Sequence, residues 1–336
     1  MPTSSGTSVH VTWTPSPRAS EHVKVLVTGA SGFVGRHLVR ELLRRGSAQI
    51  VAGTLDGIPA PGLESGEVVW VPLDVTSAES VRSVVADCGP DRVFHLAGQS
   101  SVGQSFDTPL DTWEINATGT LRLLDSLRRE CAKPPRLLVV SSAEVYGRVA
   151  EGEQPISESA FRAPLTPYGS SKASAEICAL QYGEVGAVDP VIARSFNHIG
   201  PGQDSRFVLP SIARQLALMR RGEAEAVLKV GNLDVRRDFL DVRDVVRAYL
   251  WLMDAGTSQE VYNVCSGVEH SLRAIIEYMV RLSETGARIE EDAGRIRPAD
   301  IPLLVGDASR LRALGWESEI RLDQSLRDVL EDAAAG

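Results

Sequence analysis

Tyr168 and Lys172, in the sequence YGSSK, are the two residues whose types and spacing most clearly indicate chemistry. Side chains four residues apart share one face of a helix, so this spacing places an ammonium group beside a phenol. We expect the positive charge to lower the pKa of the phenol from its reference value near ~10. A phenol tuned in this way can give a proton to a carbonyl oxygen or take one from an alcohol. A solvated helix face without any chemical role is the alternative for such a pair.

Two motifs that precede this pair give it a context. The sequence TGASGFVG runs from an apolar strand into an amphipathic helix, and the sequence SSAEVYG follows another apolar strand. The backbone N–H groups of such a glycine turn, with the positive end of the helix, bind the pyrophosphate of a dinucleotide. The order of the three motifs therefore predicts a nicotinamide cofactor beside the tyrosine. The predicted cofactor-binding residues of the turn are Gly29, Ser31, Gly32, Phe33, Val34, Gly35 and Arg36.

Further cofactor contacts are expected where the third and fourth strands end. Asp74, followed by Val75, is placed to accept from the adenine amine, although a role in a turn or a helix cap is equally open. Leu96, Ala97 and Gly98 close the fourth strand and are expected to pass over the cofactor. All five residues lie at or just beyond the carboxyl ends of predicted parallel strands, which is where open α/β sheets bind ligands.

The residues after the second strand bear on the choice between NADPH and NADH. An acidic residue directly at the strand end would hold the ribose hydroxyls and disfavour a 2′-phosphate. Here the strand ends in Gly53, Thr54 and Leu55, and the carboxylate of Asp56 comes late. Arg36 could reach a 2′-phosphate, or it could be a surface residue of the first helical turn. We therefore expect a slight preference for NADPH over NADH.

The composition limits the possible partners and location. With 43% hydrophobic and 24% charged residues, the 336-residue chain is typical of a globular protein. A net charge of −9 argues against nucleic acid and against an anionic membrane as partners. The four cysteines are widely spaced without a CxxC pair, which predicts reduced thiols, no metal site and a cytoplasmic location. Residues 1–22 lack the apolar core of a signal peptide and are expected to form a flexible tail.

Short apolar runs alternate with amphipathic stretches from residue 23 onward, and this alternation predicts the fold. Repeated strand–helix units of this length form a parallel sheet that helices cover on both faces. We predict a doubly wound α/β (Rossmann) domain over residues 23–194 and a smaller, discontinuous substrate-binding lobe over 195–336, with some segments returning to the sheet. The predicted strands span 23–28, 49–53, 68–71, 92–97, 136–142 and 188–194, and the later predicted helices span 78–87, 109–130 and 167–184.

These motifs, in this order, resemble the extended short-chain dehydrogenase/reductase family that acts on nucleotide sugars, over nearly all of residues 23–330. The resemblance implies catalysis by Ser142, Tyr168 and Lys172. Ser142 would hydrogen-bond the carbonyl oxygen, Tyr168 would exchange the proton, and Lys172 would tune Tyr168 and hold the ribose. Tyr168 and Lys172 would therefore also contact the cofactor.

Longer strings in the carboxyl half resemble the members of this family that reduce a 4-keto group. These strings are RSFNHIGPGQ, VGNLDVRRDF, VYNVCSG and RIRPADIPLLVGDASRLRALGW. The implied reaction is the reduction of GDP-4-keto-6-deoxy-D-mannose, a GDP-linked deoxysugar, to GDP-D-rhamnose or its C4 epimer. NADPH or NADH would be the donor.

The resemblance also implies a set of substrate-binding residues, namely Asn197, Arg237 and Arg297. Planar guanidinium groups suit the oxygens of a diphosphate, and an acidic protein needs local arginines to bind an anionic nucleotide. An ion pair of Arg237 with Asp238 or Asp241 is the structural alternative, and Asn197 could instead close a turn.

Glu144, in the serine motif, leaves other activities open. In a GDP-mannose 4,6-dehydratase a glutamate at this place removes the C5 proton after oxidation at C4. A nucleotide-sugar 4-epimerase would likewise retain its nicotinamide without net consumption. A non-catalytic, cofactor-sensing protein is a further alternative, but such proteins usually lose the tyrosine or the lysine. His198 is expected to be a packed loop residue rather than a base.

A homodimer is also implied by the resemblance. Its interface would combine the helix predicted over 109–130 with the tyrosine–lysine helix. Leu121, Leu124 and Leu127 would suit this interface, and they would equally suit packing on the sheet.

Overall fold

The computed structural model describes residues 23–46, 48–64, 66–292, 294 and 301–335. The tail expected over residues 1–22 and the predicted substrate residue Arg297 lie outside the described residues. The strands are β1 (Val23–Thr28), β2 (Ala48–Thr54), β3 (Val68–Pro72), β4 (Arg92–His95), β5 (Arg136–Ser142), β6 (Asp189–Ser195), β7 (Asn197–Ile199), β8 (Val227–Val230), β9 (Arg236–Asp241), β10 (Val261–Val264), β11 (Glu269–Ser271), β12 (Arg288–Glu291) and β13 (Leu303–Leu304). The helices are α1 (Phe33–Arg45), α2 (Ala78–Cys88), α3 (Val102–Asp107), α4 (Pro109–Trp113), α5 (Gly119–Glu130), α6 (Pro167–Glu184), α7 (Val208–Arg220), α8 (Val242–Ala255), α9 (Leu272–Ser283), α10 (Ser309–Ala313) and α11 (Leu322–Ala335).

Seven parallel strands form the central sheet, in the order β10-β6-β5-β4-β1-β2-β3. Helices α1 and α8 cover one face of this sheet, and α2, α5 and α6 cover the other. Strands buried on both faces need near-continuous apolar runs, which VLV in β1 and LLVV in β5 supply. This architecture is the doubly wound α/β fold that the alternation of apolar and amphipathic stretches predicts, and the prediction is confirmed.

The order of the strands reverses beside β1, whose neighbours are β2 on one side and β4 on the other. The carboxyl ends of β1, β4 and β5 therefore meet at Thr28, His95 and Ser142. Buried hydrogen bonds fix two of these ends, because the ring of His95 bonds Thr28 Oγ1 at 2.8 Å and Thr120 Oγ1 at 2.9 Å. The crevice at such a reversal is where open α/β sheets bind ligands.

The carboxyl-terminal half contributes to two further sheets as well as to the central one. β9 pairs in parallel with β7 and β13 and antiparallel with β11, and β8 pairs with β12. Helices α7, α9 and α11 pack around an apolar cluster of their own, which includes Leu216, Ile276 and Met279. β10 returns to the edge of the central sheet. The division of the chain at residue 194 stays a prediction.

Two local features differ from the predicted elements. The helix predicted over 109–130 contains a π-helical segment, Glu114–Thr118, between α4 and α5. β4 ends at His95 rather than at residue 97, because the N–H of Ala97 bonds the Thr28 hydroxyl at 3.1 Å and leaves the ladder.

Within the described ranges, no helix combines the length and apolar character that crossing a membrane requires.

Candidate active site

A cleft of about 320 Å³ opens at the carboxyl edge of the central sheet and extends to β7 and β9 of the carboxyl-terminal half. It gathers residues that are far apart in the sequence. The predicted site residues that line it are Gly29, Gly32, Phe33, Val34, Gly35, Leu96, Gly98, Ser142, Glu144, Tyr168, Lys172, Asn197 and Arg237. The structure also describes Ser31, Arg36, Asp74, Val75 and Ala97, and these predicted residues are not part of the lining.

The glycine turn at one end of the cleft requires glycine at two positions for steric reasons. Gly29 has a φ of +69°, and a Cβ there would lie 2.7 Å from the backbone nitrogen of Ala97. A Cβ on Gly35 would lie 2.3 Å from the carbonyl oxygen of Gly29. The turn therefore packs α1 directly against the ends of β1 and β4.

The first turn of α1 suits the pyrophosphate of a dinucleotide. Its N-cap is Gly32, so no side chain caps the free N–H groups, and no acidic residue occupies the first turn. Both properties leave the positive end of the helix open to an anion. The residues present thus fit the cofactor that the sequence predicts.

Arg36 and Asp74 have partners that the sequence left open. The guanidinium of Arg36 donates to the carbonyl of Gly202 at 2.6 Å, so it tethers α1 to the loop after β7. Asp74 Oδ1 accepts from the N–H and the hydroxyl of Thr76 at 2.8 and 2.7 Å, which is the turn role. The contact of Arg36 was not deducible from spacing, because Gly202 lies 166 residues away, whereas the turn role of Asp74 is one of the two that the sequence left open.

The three predicted catalytic residues come from two elements. Ser142 ends β5, whereas Tyr168 and Lys172 lie on α6, which begins with Thr166 as N-cap (accepting from the N–H of Gly169 at 2.9 Å) and with Pro167 in its first turn. A Cβ on Gly169 would lie 2.7 Å from the carbonyl oxygen of Glu144, so glycine lets the helix start against the serine motif.

The Ser142 hydroxyl accepts from the N–H of Glu144 at 3.2 Å, and Lys172 Nζ donates to the carbonyl of Val140 at 2.9 Å. Tyr168 and Lys172 are both buried to about nine-tenths of their surface. Ser142 and Tyr168 both line the cleft, and the ammonium of Lys172 is anchored on the strand that carries Ser142.

The predicted lowering of the Tyr168 pKa is wrong for this structure. Burial raises the pKa of Tyr168 to about 12, the neighbouring Ser142 hydroxyl lowers it, and the negative charge of Glu144 raises it. Burial also lowers the pKa of Lys172 to about 8, while the charge of Glu176 raises it. Tyr168 is thus a neutral phenol near neutral pH, the protonation state that a proton donor needs.

Asn116, which the sequence reasoning missed, lies behind the lining of the cleft and supports it through Gln99. It lies in the π-helical segment, it is 1% exposed, and its Oδ1 accepts from the N–H of Gln99 at 2.9 Å. Its Nδ2 donates to the Gln99 carbonyl at 3.1 Å and to Ser171 Oγ at 3.0 Å. A Cβ on Gly98 would meet Asn116 Oδ1 at 2.9 Å and Lys172 Nζ at 3.2 Å. A polar residue inside an otherwise amphipathic helix was the one available signal.

The far end of the cleft contains two predicted substrate residues and a packed histidine. Asn197 Nδ2 donates to the carbonyl of Asp238 at 3.3 Å, and Arg237 Nη1 donates to the carbonyl of Arg236 at 3.0 Å. His198 stacks on Phe33, with ring centres 5.9 Å apart, and burial lowers its pKa. His198 is therefore packed, as the sequence predicts, and whether it takes part in the chemistry stays a prediction.

The two aspartates considered as ion-pair partners of Arg237 are bonded to other groups. Asp238 is fully buried, and its carboxylate accepts from the backbone N–H groups of Ser266, Gly267 and Gly306. Asp241 forms an ion pair with Arg243 at 2.7 Å. The buried carboxylate of Asp238 therefore joins β9 to the loops after β10 and β13.

An oxidoreductase of the short-chain dehydrogenase/reductase type, using NAD(P), is the class that this fold and this cleft define. Within that class the chain belongs to the GDP-mannose 4,6-dehydratase family, because the sequence model of that family matches residues 26–329. The predicted resemblance to nucleotide-sugar enzymes is confirmed.

Individual relatives extend this result. The chain is 40% identical to the GDP-6-deoxy-D-mannose reductase of Pseudomonas aeruginosa, over 92% of this chain and 96% of that one. The structure of RMD from Pseudomonas aeruginosa, complexed with NADPH, superposes with a TM-score of 0.80 at 39% identity, over 93% of this chain and 99% of that one. UDP-glucose 4-epimerase from Thermus thermophilus, complexed with NAD, gives a TM-score of 0.82 at 27% identity, over 93% and 99%.

Proposed function

We propose that this protein reduces the 4-keto group of GDP-4-keto-6-deoxy-D-mannose to GDP-D-rhamnose or its C4 epimer. The observation that carries the proposal is that the buried phenol of Tyr168 lines one cleft together with Ser142 and Lys172. The 40% identity to a GDP-6-deoxy-D-mannose reductase supports the identity of the sugar nucleotide.

The residues have distinct roles in this reaction. A nicotinamide cofactor held by the glycine turn would supply the hydride for the carbonyl carbon. The Ser142 hydroxyl hydrogen-bonds the carbonyl oxygen and polarises it, and the Tyr168 hydroxyl gives its proton to the oxygen as negative charge develops there. The ammonium of Lys172 stabilises the phenolate that Tyr168 becomes and holds the cofactor ribose. Burial favours the neutral phenol before the transfer, which suits reduction rather than alcohol oxidation.

The binding roles are proposed for residues at the two ends of the cleft. The glycine turn and the first turn of α1 hold the pyrophosphate of the cofactor, and Leu96 and Gly98 lie over it. At the other end, Asn197 and Arg237 bind the substrate, and Arg237 supplies positive charge for the diphosphate in a protein of net charge −9. Arg297 is proposed to join them on the resemblance alone.

NADPH is proposed as the preferred donor. The carboxylate of Asp56 bonds its own turn, accepting from Thr54 Oγ1 at 3.2 Å and from the N–H of Ile58 at 3.0 Å. The acidic residue nearest the end of β2 is therefore engaged locally instead of standing ready for ribose hydroxyls. NADH oxidation with a higher kcat/KM than NADPH oxidation would contradict this preference.

A 4,6-dehydratase is the second candidate, because Glu144 lines the cleft close enough to raise the pKa of Tyr168. A carboxylate in that place can remove the C5 proton that oxidation at C4 makes acidic. Such an enzyme returns its hydride to the sugar, so it would convert GDP-mannose without consuming nicotinamide. A 4-epimerase would show the same lack of consumption.

The deciding experiment supplies the purified protein with GDP-4-keto-6-deoxy-D-mannose and with NADPH or NADH in separate reactions. We expect stoichiometric oxidation of the cofactor, and the proton coupling at C4 of the product, read by NMR, identifies the epimer. A matched reaction with GDP-mannose tests the alternative. Formation of the keto sugar there, with no oxidation in the first reaction, would replace the reductase by the dehydratase.

We further propose a homodimer in the cytoplasm, without nucleic acid or membrane partners. Large apolar side chains are exposed on adjacent helices α4, α5 and α6, namely Leu110, Trp113, Leu121 and Ile177. Leu124 and Leu127, by contrast, are fully buried against the central sheet, so Leu121 alone of the three leucines is available to an interface. The four cysteines are free thiols, in line with a reducing compartment.

A further inference from the structure

We propose that Glu176 is a positioning residue of the active site, whose buried carboxylate holds the strand end that carries Ser142 against the helix that carries Tyr168 and Lys172. The inference rests on the proposed function, since it concerns the alignment of the same reactive groups. Glu176 follows Lys172 by four residues and Tyr168 by eight, so the three side chains share one face of α6.

The carboxylate of Glu176 is fully buried and accepts four hydrogen bonds. Oε1 accepts from the hydroxyl of Ser141 and from Arg194 Nε at 2.9 Å. Oε2 accepts from Arg194 Nη2 at 2.8 Å and from Arg162 Nη1 at 3.1 Å. Arg194 itself is 3% exposed. The cost of desolvation offsets most of the attraction within a buried ion pair. We therefore expect the Glu176–Arg194 pair to fix the geometry of the site more than it stabilises the fold.

Two side-chain hydrogen bonds connect β5 to α6 immediately before the reactive serine. One runs from Lys172 Nζ to the carbonyl of Val140 at 2.9 Å, and the other runs from the hydroxyl of Ser141 to Glu176. These bonds hold the two residues that precede Ser142. They therefore fix the position of the Ser142 hydroxyl relative to the side chains on α6. A displacement of about 1 Å between reacting groups can cost about a hundredfold in rate.

Arg194 extends this network to the other strands at the same edge. Its Nη1 donates to the hydroxyl of Tyr146 at 3.0 Å, and that hydroxyl donates to Asn263 Oδ1 at 2.6 Å. Glu176 on α6 is thereby linked to β6, to β10 and to the turn that carries Glu144. A single carboxylate thus joins each element that presents a reactive group on this side of the cleft.

Glu176 also sets the electrostatic surroundings of Lys172. Burial lowers the pKa of Lys172 to about 8, and the charge of Glu176 opposes that effect. The other titratable groups near this face are Tyr168 on the same helix, Glu144 beside Tyr168, and His95 on β4, which burial keeps neutral with a pKa of about 3. Loss of the Glu176 charge would lower the pKa of Lys172 further, so the ammonium would be lost at a lower pH.

Two variants separate the geometric and electrostatic contributions. Ser141→Ala removes the bond to β5 and keeps the Glu176–Arg194 ion pair, whereas Glu176→Gln removes the charge. Ser174→Ala is the matched control, because Ser174 donates to the Ser170 carbonyl within α6 and does not bond β5. Turnover, KM, the Kd of NADPH and the pH dependence of kcat are measured for all three.

We expect Ser141→Ala to lower kcat about tenfold, with KM and the Kd of NADPH within twofold of the unmodified protein. We expect Glu176→Gln to move the alkaline loss of activity down by about one pH unit, so that part of the activity returns at lower pH. Unchanged kcat in Ser141→Ala, or an equal loss in Ser174→Ala, would overturn the proposal. If Glu176→Gln fails to fold, Ser141→Ala decides the geometric part.

A direct titration keeps this test separate from the proposed function. The chain has four lysines (Lys24, Lys133, Lys172 and Lys229), and Lys172 is the buried one. In protein with ¹³C-labelled lysine, NMR follows the Lys172 signal with pH, and Glu176→Gln must lower its midpoint. Absence of turnover in the unmodified protein would refute the reductase, whereas an unmoved Lys172 midpoint would refute the role of Glu176.

Discussion

At the scale of single residues, the protonation of Tyr168 is the property that most directly bears on function. A tyrosine four residues from a lysine suggests a lowered pKa, but in the folded chain burial dominates and raises the pKa of Tyr168 to about 12. The ammonium of Lys172 bonds the carbonyl of Val140, and the group that lowers the pKa of the phenol is the hydroxyl of Ser142. The residue types are those that the motif predicts, whereas their protonation follows from the surroundings.

Tyr168→Phe should lower kcat by about a hundredfold or more, because it removes the proton donor and little else. The Kd of NADPH, measured by fluorescence, should remain within a few-fold of the unmodified value. Tyr278→Phe, a half-buried tyrosine outside the cleft, serves as the control. Near-normal turnover in Tyr168→Phe would exclude Tyr168 from the reaction.

At the scale of elements, the site depends on how closely the ends of strands and helices approach one another. Gly29 and Gly35 bring β1, β4 and α1 together, and Gly169 brings α6 onto the serine motif. In each case a Cβ would lie under 3.0 Å from backbone atoms. The sequence shows these glycines, and the structure shows which contact each one permits.

Gly35→Ala should weaken NADPH binding at least about tenfold, because the added Cβ at 2.3 Å from the Gly29 carbonyl forces the turn open. Gly152→Ala is the matched control, since no heavy atom lies within 4 Å of a Cβ at that position. Titration of each variant with NADPH gives both constants. Equal affinities in the two variants would show that the tight packing of the turn does not matter for the cofactor.

The buried His95, which joins β1 and β4 to α5, should make the fold sensitive to acid. Burial lowers its pKa to about 3 in the folded chain, against about 6.5 in the unfolded chain, so the unfolded state alone takes up a proton as the pH falls below 6.5. The contribution of the neutral His95 to the free energy of unfolding is therefore fully present above pH 6.5 and decreases toward pH 3. The expected loss between pH 7 and pH 5 is about 2 kcal/mol in the free energy of unfolding.

Urea unfolding at the two pH values measures this loss in the unmodified protein and in His95→Gln. The variant is expected to lack this contribution, although it is less stable at pH 7 because the ring's hydrogen bonds to Thr28 and Thr120 are altered. The same pH dependence in both proteins would mean that another group causes the acid sensitivity.

At the scale of the whole molecule, the apolar face of α4, α5 and α6 predicts association. Leu121→Arg should convert a dimer into a species near the chain mass of 36.2 kDa, because a buried, unpaired guanidinium strongly destabilises an apolar interface. Val268→Arg, on the carboxyl-terminal half and half exposed, should leave the dimer intact. If light scattering gives the unmodified protein the mass of a monomer at assay concentration, the dimer itself is refuted.

The sequence by itself determined the central fold and the candidate residues of the cleft. Apolar runs with strand and helix spacing are local, and so are the glycine turn, the serine motif and the tyrosine–lysine pair, so each can be read without knowing its neighbours. The strand order and the cleft at the reversal beside β1 follow from general rules for such sheets.

Tertiary structure alone decided the partners and charges of those residues. Such contacts include the hydrogen bond from Arg36 to Gly202, the hydrogen bond between Asn116 and Gln99, and the bonds of Glu176 with Arg194 and Ser141. The bonded residues lie between 17 and 166 positions apart in the sequence. The pKa of Tyr168 likewise depends on how completely the surrounding elements exclude water. Burial and long-range contacts exist only after the chain has folded, which is why no local pattern of residues carries them.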